Sequence, residues 1–242
     1  MILFRKAILL IHGFAGGNYD YNSLGNDLQL YRDFDVYTFT LPGHDKTIIN
    51  HVKSDDWINA AEKQVEILIK RGYKTIYVVG HSMGGVIAAH VANKYPQVKK
   101  LVLASPAFRY FTFKDDKLDV IKSLEQTPSL FKDYKPEDVI SRILKIPFAT
   151  TMEFMKLVKE HANDIKGVSC PTLILWGNKD KIVPRDSAMY VYKNIKSSSV
   201  TLYEINDVTH DTFRNPRYDE VYNIIYKFLR EHNLPKKEIK KI

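Results

Sequence analysis

The chain has 242 residues, 45% of them hydrophobic, a formal net charge of +8 and one cysteine. That length and apolar content suit a single domain with one sizeable core, so residues 1–242 are read as one unit, and the lone Cys170 excludes a disulfide framework. The lysines are scattered, with no basic stripe interleaved with aromatics, which argues against nucleic acid as a partner.

The opening Met-Ile-Leu-Phe-Arg-Lys lacks the charged-then-apolar order of a signal peptide, and the apolar run 7–11 is far too short to span a bilayer. A soluble cytoplasmic protein without stable membrane insertion is therefore expected. Residues 7–11 instead predict a strand, as do the runs 36–40, 75–79, 101–104, 172–176 and 200–205. Their hydrophobicity is continuous rather than alternating, which fits strands covered on both faces of a parallel sheet. Between them, residues 55–70 set Trp57, Ala60, Ala61, Val65, Leu68 and Ile69 at helical spacing, with Ser54 as the N-cap and Gly72 as the stop. Residues 186–195 and 218–230 read as two more helices, and the alternation predicts an α/β doubly wound, mostly parallel sheet.

The third apolar run leads directly into Gly80-His81-Ser82-Met83-Gly84. A serine centred in G-x-S-x-G between a strand and a helix is lifted above the sheet edge, and Gly80 and Gly84 allow a turn where a Cβ would strike its neighbours. The small apolar residues Val86, Ile87, Ala88, Ala89, Val91 and Ala92 supply the helix that follows. Ser82 is thus the candidate nucleophile. Regularity then breaks over residues 107–167, where helical patterns and aromatics crowd together without a convincing strand. An insertion here predicts a small helical cap, with Phe108, Phe111 and Met155 as candidate pocket-lining residues. At the other end, residues 235–242 look like a frayed, solvated tail.

A serine hydroxyl needs a base, and the base needs a group that fixes its tautomer. His210 lies between the sixth predicted strand and the last helix, on the sheet edge where Ser82 is presented. Asp180 follows the strand 172–176, which makes the chain order serine, acid, histidine. Asp207 and Asp211 are nearer His210 in sequence, but loop neighbours need not point at the imidazole. An oxyanion would be met by the backbone N–H groups of Phe14, after Ile11-His12-Gly13, and of Met83.

Taken together, His12-Gly13-Phe14, the serine motif with Gly85, Trp176-Gly177-Asn178-Lys179-Asp180 and His210 resemble the α/β-hydrolase superfamily. More narrowly, the chain is similar to small bacterial carboxylesterases related to monoacylglycerol lipases. Leu-Pro-Gly-His44, Ser54-Asp-Asp-Trp57 and Pro184-Arg-Asp-Ser-Ala188 also carry that resemblance, which covers nearly everything outside the cap. It implies esterase activity on short to medium acyl chains, no metal or organic cofactor, and a compact helical cap. The same residues would equally serve a thioesterase, an amidase, a carbon–carbon bond hydrolase or a cofactor-free haloperoxidase, and the scaffold also serves as a non-catalytic ligand receptor. A metal hydrolase built on His44, Asp45 and His51 matches no strong ligand spacing. Oligomeric state is left open.

Overall fold

A computed structural model of the chain describes residues 5–45, 52–109, 113–114, 117–118 and 148–242. In chain order the strands are β1 (Lys6–Ile11), β2 (Phe34–Thr38), β3 (Ile76–His81), β4 (Val98–Ala104), β5 (Phe113–Lys114), β6 (Lys117–Leu118), β7 (Thr172–Gly177), β8 (Val200–Ile205) and β9 (Glu238–Lys241). The helices are α1 (Leu24–Gln29), α2 (Ser54–Lys70), α3 (Met83–Lys94), α4 (Phe148–His161), α5 (Arg185–Asn194) and α6 (Tyr218–Arg230).

Seven strands pair in the order β2-β1-β3-β4-β7-β8-β9, every pair parallel. Continuous apolar strands follow from helices on both faces. Ala7, Leu9 and Ile11 of β1 point toward Trp57 and Val65 of α2 and Val86 of α3, while Ile8 and Leu10 meet Leu24 and Leu28 of α1 on the other side. The chain leaves β1 for β2 on one side and returns to β3 on the other, so Ile11 comes to pair with Gly80. The order reverses between β1 and β3, which opens a crevice at the carboxyl ends of those strands.

Several expectations change in detail. Residues 235–242 are no frayed tail: Glu238–Lys241 adds a parallel edge strand to β8, and Asn206 donates its N–H to the Ile242 carbonyl at 2.8 Å. Its adjacent Lys240 and Lys241, with Lys236 and Lys237 just before the strand, suit an edge that must stay solvated, and that pattern reads as a tail in the sequence alone. Ser54 is not the N-cap of α2 but its first, buried residue, with Lys53 in the cap position. Glu153 of α4 accepts the Ser54 N–H at 2.9 Å and Asp56 that of Lys53 at 2.9 Å, so the helix end is satisfied partly from a distant element. Gly72 does stop α2, in a left-handed conformation with φ of 96°. Within 107–167 the short antiparallel pair β5–β6 interrupts the expected all-helical pattern. Cys170 is half-buried, and burial pushes its thiol up to about 11.

Candidate active site

The turn from β3 into α3 is formed by residues that tolerate little else. A Cβ on Gly80 would run into the Gly84 carbonyl and Ala88 of α3, and one on Gly84 into the backbone carbonyls of Ile11 and His12 at the end of β1. With strand and helix pressed this closely, Ser82 is forced to φ of 54°, a conformation that costs a non-glycine residue about 1–3 kcal/mol. Its N–H donates to the Ala104 carbonyl at 3.0 Å and its own carbonyl accepts from Gly85 and Ala107, which holds the strained residue in place. Met83 is the first residue of α3, so its N–H belongs to the set that no helical carbonyl can reach. That is a site for developing negative charge.

On the adjoining loop after β1, a Cβ on Gly13 would lie 3.1 Å from that of Ser82. His12 fixes this loop. Its Nε2 accepts the Leu41 N–H at 2.9 Å, so the proton is on Nδ1, which donates to the Gly13 carbonyl at 2.9 Å. Burial brings His12 down to about 4, so it stays neutral in this role. The Ala15 N–H donates to His44 Nε2 at 3.2 Å, and His44 Nδ1 donates to the Pro42 carbonyl, so both nitrogens of His44 serve the loops. Its sequence partner for a metal, His51, lies outside the described residues. Phe14 lays its ring against Phe154 of α4, with centroids 4.9 Å apart, and edge-on to Trp57.

The next strands in the sheet bring the remaining groups to the same edge. Asp180, after β7, accepts the N–H groups of Ile182 at 2.9 Å and Val183 at 2.8 Å on Oδ1, which aims Oδ2 at His210. His210, after β8, lies 3.0 Å from that oxygen through Nδ1, and the Asp180 side chain has no solvent exposure. With Nδ1–H donated to the carboxylate, Nε2 keeps its lone pair. Burial opposes both charges, but each group outweighs it for the other: His210 is held above the usual imidazole value and Asp180 below the usual carboxylate one. Ser105, after β4, is fully buried, shares a 3.1 Å hydrogen bond with the Thr212 hydroxyl, and adds a small favourable influence on the Asp180 carboxylate.

Three contributors carry no sequence signal of their own. His81 donates Nε2–H to the His210 carbonyl at 2.9 Å and sets its ring beside the imidazole, tilted by 43° with centroids 4.9 Å apart. Burial drives His81 down to about 3, so it is neutral, and its buried Nδ1 has no hydrogen-bond partner among the described residues. Asp20, which burial raises to about 6, acts electrostatically on His210. Ser105 is visible only once β4 is seen between β3 and β7. Of the candidate pocket residues, Phe108 and Met155 are buried in the apolar cluster that contains Trp57, and Phe108 faces Tyr190 of α5. Phe111 lies outside the described residues.

Residues 4–217 match the family model described as serine aminopeptidase, S33. The chain belongs to that family of α/β-hydrolases. It is 22% identical over 231 residues to a carboxylesterase of Bacillus subtilis, covering 93% of each chain. With a thermostable monoacylglycerol lipase of Bacillus sp. it shares 24% over 206 residues, covering 84% of this chain and 82% of the other. Its fold is shared with the monoacylglycerol lipase of Paleococcus ferrophilus, at a TM-score of 0.68 and 20% identity over 92% of this chain and 93% of that one. A soluble variant of the Saccharomyces cerevisiae monoglyceride lipase gives a TM-score of 0.69 at 18% identity, covering 95% and 88%.

Proposed function

We propose that this serine ester hydrolase cleaves short to medium acyl esters through an acyl-enzyme on Ser82. The observation that carries the reading is the Asp180–His210 contact of 3.0 Å, which leaves an unprotonated imidazole nitrogen on the sheet edge that presents the strained Ser82. In the first half-reaction Ser82 Oγ attacks the ester carbonyl while His210 Nε2 takes the hydroxyl proton, and Asp180 stabilises the imidazolium. The N–H groups of Phe14 and Met83 receive the oxyanion. Collapse expels the alcohol, which leaves with the proton from His210. Water then repeats the sequence on the acyl-enzyme, releasing the acid and restoring Ser82.

Residues 1–242 act as one domain in which 107–167 form the cap, and Phe108, Phe111 and Met155 shape the acyl side of the site. No metal or organic cofactor takes part in this scheme. Among the described residues no helix is long and apolar enough to cross a membrane, in keeping with a cytoplasmic enzyme whose partner is a small ester.

Intact-mass labelling with a fluorophosphonate, followed by model esters of increasing acyl length, tests the reading. The label is expected on Ser82, and Ser82→Ala is expected to lose about a million-fold in kcat. Wild-type turnover by a clean Ser82→Ala preparation would overturn the mechanism, and faster turnover of aminoacyl anilides than of esters would overturn the substrate class.

A further inference from the structure

Four polar side chains from separate elements meet on the far side of α3 from the turn described above. Asp164, in the 3-10 turn Ala162–Gly167 that continues α4, points Oδ2 at His90 Nδ1 (2.6 Å) and at His161 Nδ1 (2.9 Å). These three atoms lie within 4.8 Å of one another, and all three residues are half-buried. On the opposite edge of the His90 ring, Nε2 is 2.7 Å from Glu62 Oε1 of α2, a carboxylate that Lys94 holds at 2.6 Å.

We propose that His90, His161 and Asp164 form a binding site for one divalent transition metal of the zinc type, which pins the returning cap segment to α3. Two arguments support it. First, Glu62 takes the Nε2–H of His90, and a carboxylate behind a histidine is the arrangement that orients an imidazole ligand and makes it more basic. Second, the Nδ1 atoms of two imidazoles from different elements converge on one carboxylate oxygen of Asp164, which gathers three donors where a single ion could bridge them. A bound ion takes the place of the hydrogens on both Nδ1 atoms, leaving His90 its Nε2–H toward Glu62 and His161 its remaining proton on Nε2.

The donor set fits. Two imidazoles and one carboxylate suit zinc better than calcium or magnesium, and bonds of about 2.0–2.2 Å set tetrahedral ligand atoms roughly 3.3 Å apart. The two contacts to Asp164, 2.6 and 2.9 Å, are shorter than that value, so the donors spread slightly to admit the ion, and all three atoms lie within 4.8 Å of one another. Water would complete the coordination, since Glu62 Oε1 lies behind the ring and not among the converging atoms. The role is structural: His90 stands eight residues, about 12 Å of helix, beyond Ser82 on α3.

The test uses the untagged full-length chain, stripped with chelator and titrated at pH 7.5 with zinc chloride against a chromophoric chelator. One equivalent is expected to bind, with a rise in Tm of roughly 5 °C at a hundredfold excess over Kd. His90→Gln/His161→Gln is expected to weaken binding at least a hundredfold and Glu62→Gln about ten- to a hundredfold, while His232→Ala on the exposed C-terminal segment changes nothing. Long-range proton–nitrogen NMR of the wild-type chain reads the ligands without any variant, and zinc should shift the Nδ1 signals of His90 and His161. Absence of stoichiometric binding, undiminished affinity in the double variant, or zinc-induced shifts confined to other histidines would each overturn the proposal.

Discussion

Asp180→Asn isolates what the carboxylate does for His210. In the native protein Oδ1 accepts two backbone N–H groups and Oδ2 faces His210 Nδ1 at 3.0 Å. The amide oxygen can retain both backbone contacts, so the loop should keep its shape and the variant should fold. Facing His210, however, the amide presents either a donor, which drives the imidazole proton to Nε2, or an uncharged acceptor. The base is then in the wrong tautomer, and the imidazolium loses its counter-charge. At a separation of 3.0 Å and an effective dielectric constant of about 20, that counter-charge is worth roughly 5 kcal/mol. At 1.36 kcal/mol per decade this is about ten-thousand-fold in kcat, the size expected when an orienting aspartate is lost. The assay is kcat for a soluble aryl ester at pH 8, with circular dichroism confirming the fold. Asp207→Asn and Asp211→Asn serve as references; both carboxylates are exposed, and screening leaves each worth less than about tenfold. A mild loss in Asp180→Asn beside a severe one in either reference would refute the assignment.

The acid limb of kcat/KM should report His210. Its value is raised, and activity needs it neutral, so the rate should fall as pH drops through an apparent pKa at or above about 6.5, while His12 and His81, near 4 and 3, stay neutral across that limb. A flat profile to pH 4.5 would remove the histidine base. Gly84→Ala places a Cβ against two backbone carbonyls that cannot yield, and overpacking of this kind costs about 1–3 kcal/mol, so Tm should fall by roughly 3–10 °C; an unchanged melt would refute the close approach of α3 to β1. Alanine at Phe108, Phe111 or Met155 should shift the preference among acyl lengths, each methylene being worth at most ~0.8 kcal/mol. If none of the three moves the ratio of kcat/KM between short and medium esters, the cap is only a cover.

Local pattern alone carries much of this protein. Strands buried on both faces are largely apolar, so residues 7–11, 75–79 and 172–176 announce a parallel sheet, and a serine between two glycines after such a strand announces the turn. Because parallel strands place their carboxyl ends on one edge, even the loop positions of Asp180 and His210 follow from counting strands. Other features exist only between elements distant in the chain. The edge strand Glu238–Lys241 is stabilised by the neighbour it pairs with rather than by its own residues, and its lysines look identical in a tail. Ser54 carries the composition of a cap, but the Glu153 carboxylate reaching across from α4 takes its N–H. His81, Ser105, and the meeting of Glu62, His90, His161 and Asp164 depend on which strands and helices the fold sets side by side. Periodicity records burial one element at a time, whereas hydrogen-bond partners across the sheet edge and between helices are decided by tertiary packing.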